Sequence, residues 1–277
     1  MDIPELDEII AVALREDMPA GDVTAESIIP ADSVSDAVFL AKEDGVLAGL
    51  PVARRVFETI DAGVEFLEET REGEAFKKGN VLARLRGRTV SLLKGERTAL
   101  NFLQRMSGIA TSTRRFVEAV KGTGARILDT RKTTPGLRCL EKYAVRTGGG
   151  TNHRLNLSDM VLIKDNHLRH VGSVAEAVRR ARAAIVPGIK VEVEVTGFAE
   201  ARAALESGVD VIMLDNMSPA EMKKVVDFVA GRVRLEVSGK VSLDRVREIA
   251  EIGVDDISVG ALTHSSRALD ISLEFLN

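Results

Sequence analysis

Between residues 126 and 260, short apolar runs alternate with amphipathic, helix-spaced patterns, and this rhythm restricts the possible folds more than any other feature of the chain. The runs are Arg126-Ile127-Leu128, Met160-Val161-Leu162-Ile163, Val191-Glu192-Val193-Glu194-Val195, Val211-Ile212-Met213-Leu214, Val233-Arg234-Leu235-Glu236-Val237 and Ile257-Ser258-Val259. Between them lie stripes such as Val174, Ala177, Val178 and Ala181, or Met222, Val225, Val226 and Val229, the latter opened by Ser218-Pro219. Strands that alternate with helices belong to β/α units of a parallel sheet. About six strands are too few for a complete eight-unit barrel. The residues therefore predict a reduced or irregular α/β barrel, with an open sheet as the alternative.

The first hundred residues read differently. Leu6, Ile9, Ile10, Ala13 and Leu14 form one helical stripe, and strand-like runs near Ala37–Leu40, Val64–Leu67 and Val81–Leu85 are broken by Gly45, Gly73 and Gly79. This predicts a separate α+β layer. A helix from about Val90 to Met106 joins the two parts, with Leu92, Leu93, Leu100, Leu103 and Met106 on its apolar face. Glu96 falls inside that face and Arg97 on its border, where a charge needs a partner. The expected domains are residues 1–108 and 109–277, with the segment from about 266 packing back on the first.

Composition excludes several classes of function. The formal net charge is −4 and aromatic content is 4%, which argues against a nucleic-acid partner. No apolar run approaches the roughly 20 residues that span a bilayer, and Met1-Asp2-Ile3-Pro4-Glu5 lacks the basic start of a signal peptide, so no membrane partner and a cytoplasmic setting are expected. The single cysteine, Cys139, has no partner for an internal disulfide.

In parallel α/β folds, the C-terminal ends of the strands converge on the ligand. Here those ends carry Thr130-Arg131-Lys132, Lys164-Asp165-Asn166, Glu194, Asp215-Asn216, Ser238-Gly239 and Gly260-Ala261. The stretch from Asp129 to Arg154 concentrates Arg131, Lys132, Arg138, Lys142, Arg146, His153 and Arg154 in a chain of net negative charge, which points to a small polyanion. Arginine forks suit carboxylates and lysine suits phosphates, so the mixed set fits a ligand carrying both. Glu194 and Asp215 can serve as oxygen ligands to Mg²⁺ or as salt-bridge partners of nearby lysines. Ser238-Gly239-Lys240 and Val259-Gly260-Ala261 can bring backbone N–H groups to a phosphate. His167 and His170 form an HxxH pair without a third ligand, so a structural role is expected, while His153 and His264 are better placed for a ligand. A lysine such as Lys164 can also form a Schiff base, which leaves an aldolase open at this point.

Several longer motifs lie in register along the chain. They are Glu96-Arg97-Thr98-Ala99-Leu100-Asn101-Phe102-Leu103, Ser107-Gly108-Ile109-Ala110-Thr111, Asp129 to Arg138, Glu141-Lys142-Tyr143-Ala144-Val145, Gly148-Gly149-Gly150 with Asn152-His153-Arg154, and Leu162 to His167. With Gly21-Asp22-Val23-Thr24 and Val259 to Ser265, these resemble the quinolinate phosphoribosyltransferases. The resemblance implies an irregular barrel of six or seven strands behind an N-terminal α+β domain. It also implies that quinolinate and phosphoribosyl pyrophosphate react with Mg²⁺ to give nicotinate mononucleotide, pyrophosphate and carbon dioxide. It implies a homodimer with shared active sites, open to assembly as a homohexamer, in which Arg97 reaches the barrel of the partner. By motif match, Arg97, Arg131, His153, Arg154 and Lys164 hold the quinolinate carboxylates. Lys132 and His264 face pyrophosphate, Glu194 and Asp215 face metal and ribose, and Ser238, Gly239, Gly260 and Ala261 face the 5′-phosphate. Thr130, Lys240 and Val259 complete the expected substrate contacts, and Lys132, Lys164, Glu194 and Asp215 form the expected catalytic set. Two positions depart from the family pattern: Asn156 and Lys240 both stand where glycine is usual. Rival readings are a related transferase for another acidic heterocycle and a phosphometabolite-binding regulator.

Overall fold

The computed structural model describes residue 3 and residues 5–276; Met1, Asp2 and Pro4, part of the start read for a signal peptide, lie outside the described residues. In chain order the first elements are α1 (Leu6–Asp17), α2 (Val23–Ile28), β1 (Val34–Ala41), β2 (Gly45–Val46), α3 (Leu50–Ile60), β3 (Glu65–Glu68), β4 (Ala75–Phe76) and β5 (Val81–Arg88). Then come α4 (Thr89–Ala119), β6 (Arg126–Leu128), α5 (Arg138–Thr147), β7 (Val161–Ile163), α6 (Asp165–Val171), α7 (Val174–Ala184), β8 (Val191–Val195) and α8 (Phe198–Glu206). The chain ends with β9 (Val211–Asp215), α9 (Pro219–Val229), β10 (Arg234–Ser238), α10 (Val246–Glu251), β11 (Asp256–Ser258), α11 (Ala261–His264) and β12 (Ile271–Leu276). None of the described helices is long and apolar enough to cross a membrane.

These elements form two compact units that interleave in sequence. The first comprises Met1–Arg114, Thr133–Gly149 and Leu262–Asn277; the second comprises Arg115–Lys132 and Gly150–Ala261.

The first unit is built on an antiparallel sheet of order β12-β1-β5-β3. Strand β12 was not read from sequence, although Ile271 and Leu273 alternate with polar neighbours and are buried. Phe39, Phe57 and Phe66 meet with ring centroids 6.2–6.4 Å apart, fastening α3 to the sheet. The N-terminus of α3 is closed by the Glu72 carboxylate, which accepts the N–H groups of Gly49 and Leu50. Helix α4 runs well past the expected end at Met106. Ser107-Gly108 reads as a stop, but Gly108 serves close approach instead: a Cβ there would lie 2.0 Å from the Arg267 carbonyl oxygen. From α4, Arg105 donates through Nε to Glu141 at 2.8 Å and through Nη2 to the Thr134 hydroxyl at 2.8 Å and the Thr263 carbonyl at 3.3 Å. The buried Glu141 carboxylate also accepts the Thr134 N–H. One ion pair thus ties together α4, the turn before α5, and α11.

The second unit holds the six-stranded parallel sheet of an irregular α/β barrel, in the order β6-β11-β10-β9-β8-β7. Among the described residues no ladder joins β6 to β7; instead, Thr151 bridges Leu128. Register sorts the side chains. Leu162 pairs with Glu192, Glu194 with Met213, Met213 with Glu236, Asp215 with Ser238 and Ser258 with Leu128, so all of these share one face. The other face is apolar and fully buried, with Val193, Val195, Ile212, Leu214, Val237 and Ile257. The helical layer therefore takes the hydrophobic side, and the opposite face is left for charged groups.

Candidate active site

At the C-terminal edge of the polar face stand Lys164 just past β7, Glu194 in β8, Asp215 ending β9 and Ser238 ending β10, with Thr130 and Gly260 two residues past β6 and β11. Lys164 Nζ donates to Glu194 Oε2 at 2.6 Å, so the salt-bridge reading of Glu194 holds in this state. Asp215 accepts from the Asn216 side chain through Oδ2 at 2.8 Å. Gly239 has φ 96, and a Cβ there would fall 2.4 Å from Asn216 Oδ1, so the turn requires glycine on both counts. Lys240 follows at φ 48, in the left-handed region where glycine is unstrained. Asn156 is not among the positive-φ residues, and its side chain accepts the Ser158 N–H at 2.7 Å, so this position needs no glycine.

The basic stretch divides between the units. Arg138, Lys142 and Arg146 lie on α5 of the first unit, whereas Arg131, Lys132, His153 and Arg154 belong to the second. Thr130 Oγ1 accepts the Lys132 N–H at 3.0 Å, fixing a tight turn after β6. Buried Asp129 accepts the His153 N–H at 2.9 Å and an Asn152 side-chain N–H, which anchors the second half of the stretch beside β6. Burial and then the charge of the Arg131 guanidinium lower Arg154 from its ordinary value. Two guanidinium forks suit a ligand with two carboxylates.

Of the remaining expected residues, Val259 is buried and its N–H donates to the Leu128 carbonyl, while Ala261 opens α11. Arg97 and His264 belong to the first unit. Arg97 is exposed on α4; its neighbour Glu96 is half-buried and pushed up by that burial. His264 is exposed, with Nδ1 hydrogen-bonded to the Ser265 hydroxyl at 2.6 Å. His167 Nδ1 accepts the Lys164 N–H at 2.8 Å, which accounts for one half of the HxxH pair as a cap of α6.

Sequence reasoning missed a buried cluster beneath this edge. His153 Nε2 lies 3.0 Å from Glu192 and 3.4 Å from Glu236, with side-chain exposures of 8%, 0% and 3%, respectively. Ser258 donates its hydroxyl proton to Glu236, and Glu192 Oε1 is buried without a hydrogen-bond partner among the described residues. The available signal was the alternation Val191-Glu192-Val193-Glu194-Val195, which places two glutamates on one face of a central strand. Burial disfavours the doubly protonated ring of His153, and the two carboxylates favour it. The Arg154 backbone N–H, whose hydrogen is fixed by the peptide plane, points at His153 Nδ1 from 2.8 Å and requires a lone pair there. Double protonation and that lone pair exclude each other, and the amide decides for a neutral ring with its proton on Nε2.

Paired arginines, strand-end lysines, carboxylates on adjoining strands and a glycine turn define an α/β enzyme for a small phosphorylated or carboxylated substrate. The chain belongs to the quinolinate phosphoribosyltransferase family: residues 22–107 match the model of its N-terminal domain and residues 109–274 that of its C-terminal domain. It is 41% identical to a probable nicotinate-nucleotide pyrophosphorylase (carboxylating) of Bacillus subtilis, over 98% of this chain and 93% of that one. Identity is 44% to the nicotinate-nucleotide pyrophosphorylase (carboxylating) of Mycobacterium leprae, over 96% of each chain. The crystal structure of NadC from Streptococcus pyogenes superposes with a TM-score of 0.95 at 43% identity, covering 100% of both chains.

Proposed function

We infer that this chain transfers the phosphoribosyl group of phosphoribosyl pyrophosphate to quinolinate and decarboxylates the product. It yields nicotinate mononucleotide, pyrophosphate and carbon dioxide on the route to NAD. The observation that carries this to individual residues is the placing of Arg131 three residues past β6 and of Arg154 in the loop that Asp129 and His153 anchor beside that strand. A dicarboxylate presents one carboxylate to each of the two guanidinium forks, whereas a monocarboxylate presents one for both. Lys164 adds a third positive charge, already held in place by Glu194.

Attack by the pyridine nitrogen on the anomeric carbon needs alignment rather than proton transfer, and fixed cations on the ring's carboxylates supply it. The ribose gains oxocarbenium character as pyrophosphate leaves, and Lys132 offers a compact charge for the departing group. Once ribosylated, the ring nitrogen is cationic and stabilises the electron pair left when the adjacent carboxylate departs as carbon dioxide. The carbon then takes up a proton. No general acid is needed for the carbon–carbon cleavage.

The donor set fits Mg²⁺. Glu194 and Asp215 lie on neighbouring strands and the same face, two residues apart in level, hence about 8 Å apart at Cα. One carboxylate oxygen of each is occupied, Glu194 Oε2 by Lys164 and Asp215 Oδ2 by Asn216, and the other two can face a cation that also takes substrate oxygens. When bound, Mg²⁺ supplies charge stabilisation to the pyrophosphate oxygens. Ser238, Gly239, Lys240, Val259, Gly260 and Ala261 are assigned to the 5′-phosphate side, and Thr130 shapes the turn beneath Lys132. For Arg97 and His264 the assignment rests on the motifs alone. So do the homodimer in which exposed Arg97 serves the partner subunit, its further assembly as a hexamer, and the cytoplasmic setting.

Purified protein given phosphoribosyl pyrophosphate, Mg²⁺ and quinolinate should release pyrophosphate. Nicotinate in place of quinolinate should give none, and chelation by EDTA should stop release until Mg²⁺ is restored. Folded protein that is inactive with quinolinate, or that uses nicotinate as well, contradicts the reading.

A further inference from the structure

Glu192 and Glu236, buried against His153, have no assigned task. The ligand atoms of the three lie within 4.8 Å of one another, close enough to hold a metal ion. The chemistry of the ring speaks against that use. A metal on Nε2 requires the ring proton on Nδ1, where it would meet the Arg154 N–H head-on. The proton therefore belongs on Nε2, directed at the two carboxylates.

Each neighbour of the ring constrains Arg154. Asp129 holds the His153 backbone N–H, Glu192 and Glu236 hold Nε2, and Nδ1 in turn holds the Arg154 N–H. The Arg154 guanidinium is fixed at its far end, Nη1 donating to the Met160 carbonyl at 2.9 Å. The Glu192 charge also opposes the effect of Arg131 on Arg154. Glu192 sits on β8 and Glu236 on β10, so His153 spans the polar face above β9.

We propose that Glu192 and Glu236 are positioning residues for quinolinate: by taking the Nε2 proton of His153 they keep its Nδ1 an acceptor for the Arg154 amide, and so aim Arg154 beside Arg131. On this account His153 is itself a positioning residue, with both ring nitrogens engaged inside the protein, rather than a direct substrate ligand. The proposal rests on the reading of Arg131 and Arg154 as carboxylate binders. It also explains why two glutamates are buried in a sheet where apolar side chains would pack at no desolvation cost.

The test combines spectroscopy with kinetics. In protein labelled with ¹⁵N-histidine, the His153 ring, assigned by its loss in His153→Asn, should show a protonated Nε2 and a bare Nδ1, unchanged when quinolinate is added. The double variant Glu192→Leu with Glu236→Leu removes both acceptors of Nε2 and both buried carboxylates together. It should raise the KM for quinolinate tenfold or more, leave that for phosphoribosyl pyrophosphate within twofold, and remain folded. A protonated Nδ1 in the wild type, or a ring signal displaced by quinolinate, overturns the proposal. So does a folded double variant with unchanged KM for quinolinate. If the wild type turns over no quinolinate, the functional reading fails separately, because the tautomer is read without turnover; if the double variant does not fold, the wild-type spectrum still decides.

Discussion

Replacing Arg154 by alanine is expected to lower kcat/KM for quinolinate by about 10²–10³, or roughly 3–4 kcal/mol of transition-state stabilisation. The size follows from what the residue does at three levels. Its guanidinium is partly desolvated and feels the charge of Arg131, so in the empty site it bears an electrostatic penalty that a carboxylate relieves. Its position is set from both ends, by His153 at the backbone and Met160 at Nη1, so little orientational freedom remains to be lost on binding. In the proposed role its planar fork would set the plane of the bound ring, and alignment of that ring is most of what the reaction asks. Lysine at 154 should recover little, because a point charge cannot impose the plane. The KM for phosphoribosyl pyrophosphate should move far less. Steady-state kinetics with each substrate varied in turn would check this, and a parallel loss for both substrates would assign Arg154 to general architecture.

Arg105→Ala should be the most damaging change to stability. Glu141 is 1% exposed, and losing the Arg105 guanidinium leaves its buried carboxylate without that cation, which costs about 3–5 kcal/mol. For a chain of this size that corresponds to a fall in Tm on the order of 10 °C. The Thr134 hydroxyl and the Thr263 carbonyl lose a donor in the same step. The double variant Arg105→Met with Glu141→Leu should regain much of the loss, since the stranded charge goes with its partner. Calorimetry of the three proteins tests this; a single variant that melts like wild type would show that the pair contributes nothing net.

The barrel strands were legible because they are short, apolar and separated by helix-length patterns, and each falls within a residue or two of its expected place. Strand parity made the rim legible as well: Lys164, Glu194, Asp215 and Ser238 end strands whose alternate residues are apolar. The layer below was not. In Val191-Glu192-Val193-Glu194-Val195 the period alone fits a half-exposed strand, and only the arrival of His153 from a distant loop shows that Glu192 is buried. Nor does anything local reveal that Thr133–Gly149 joins the first unit while the residues on either side join the second. Helix α4 illustrates the opposite error. Its Ser107-Gly108 pair has the composition of a terminus, yet the glycine answers to Arg267, more than 150 residues later in the chain.

In the proposed reaction paired cations hold a pyridine dicarboxylate while its nitrogen is ribosylated and the carboxylate beside that nitrogen is lost. Quinolinate labelled with ¹⁴C in either carboxyl group tests it most directly, in the presence of phosphoribosyl pyrophosphate and Mg²⁺. Label in the 2-carboxyl should leave as carbon dioxide, one for each pyrophosphate formed, and label in the 3-carboxyl should remain in the mononucleotide. Label lost from the 3-carboxyl, or pyrophosphate formed without carbon dioxide, would contradict the account.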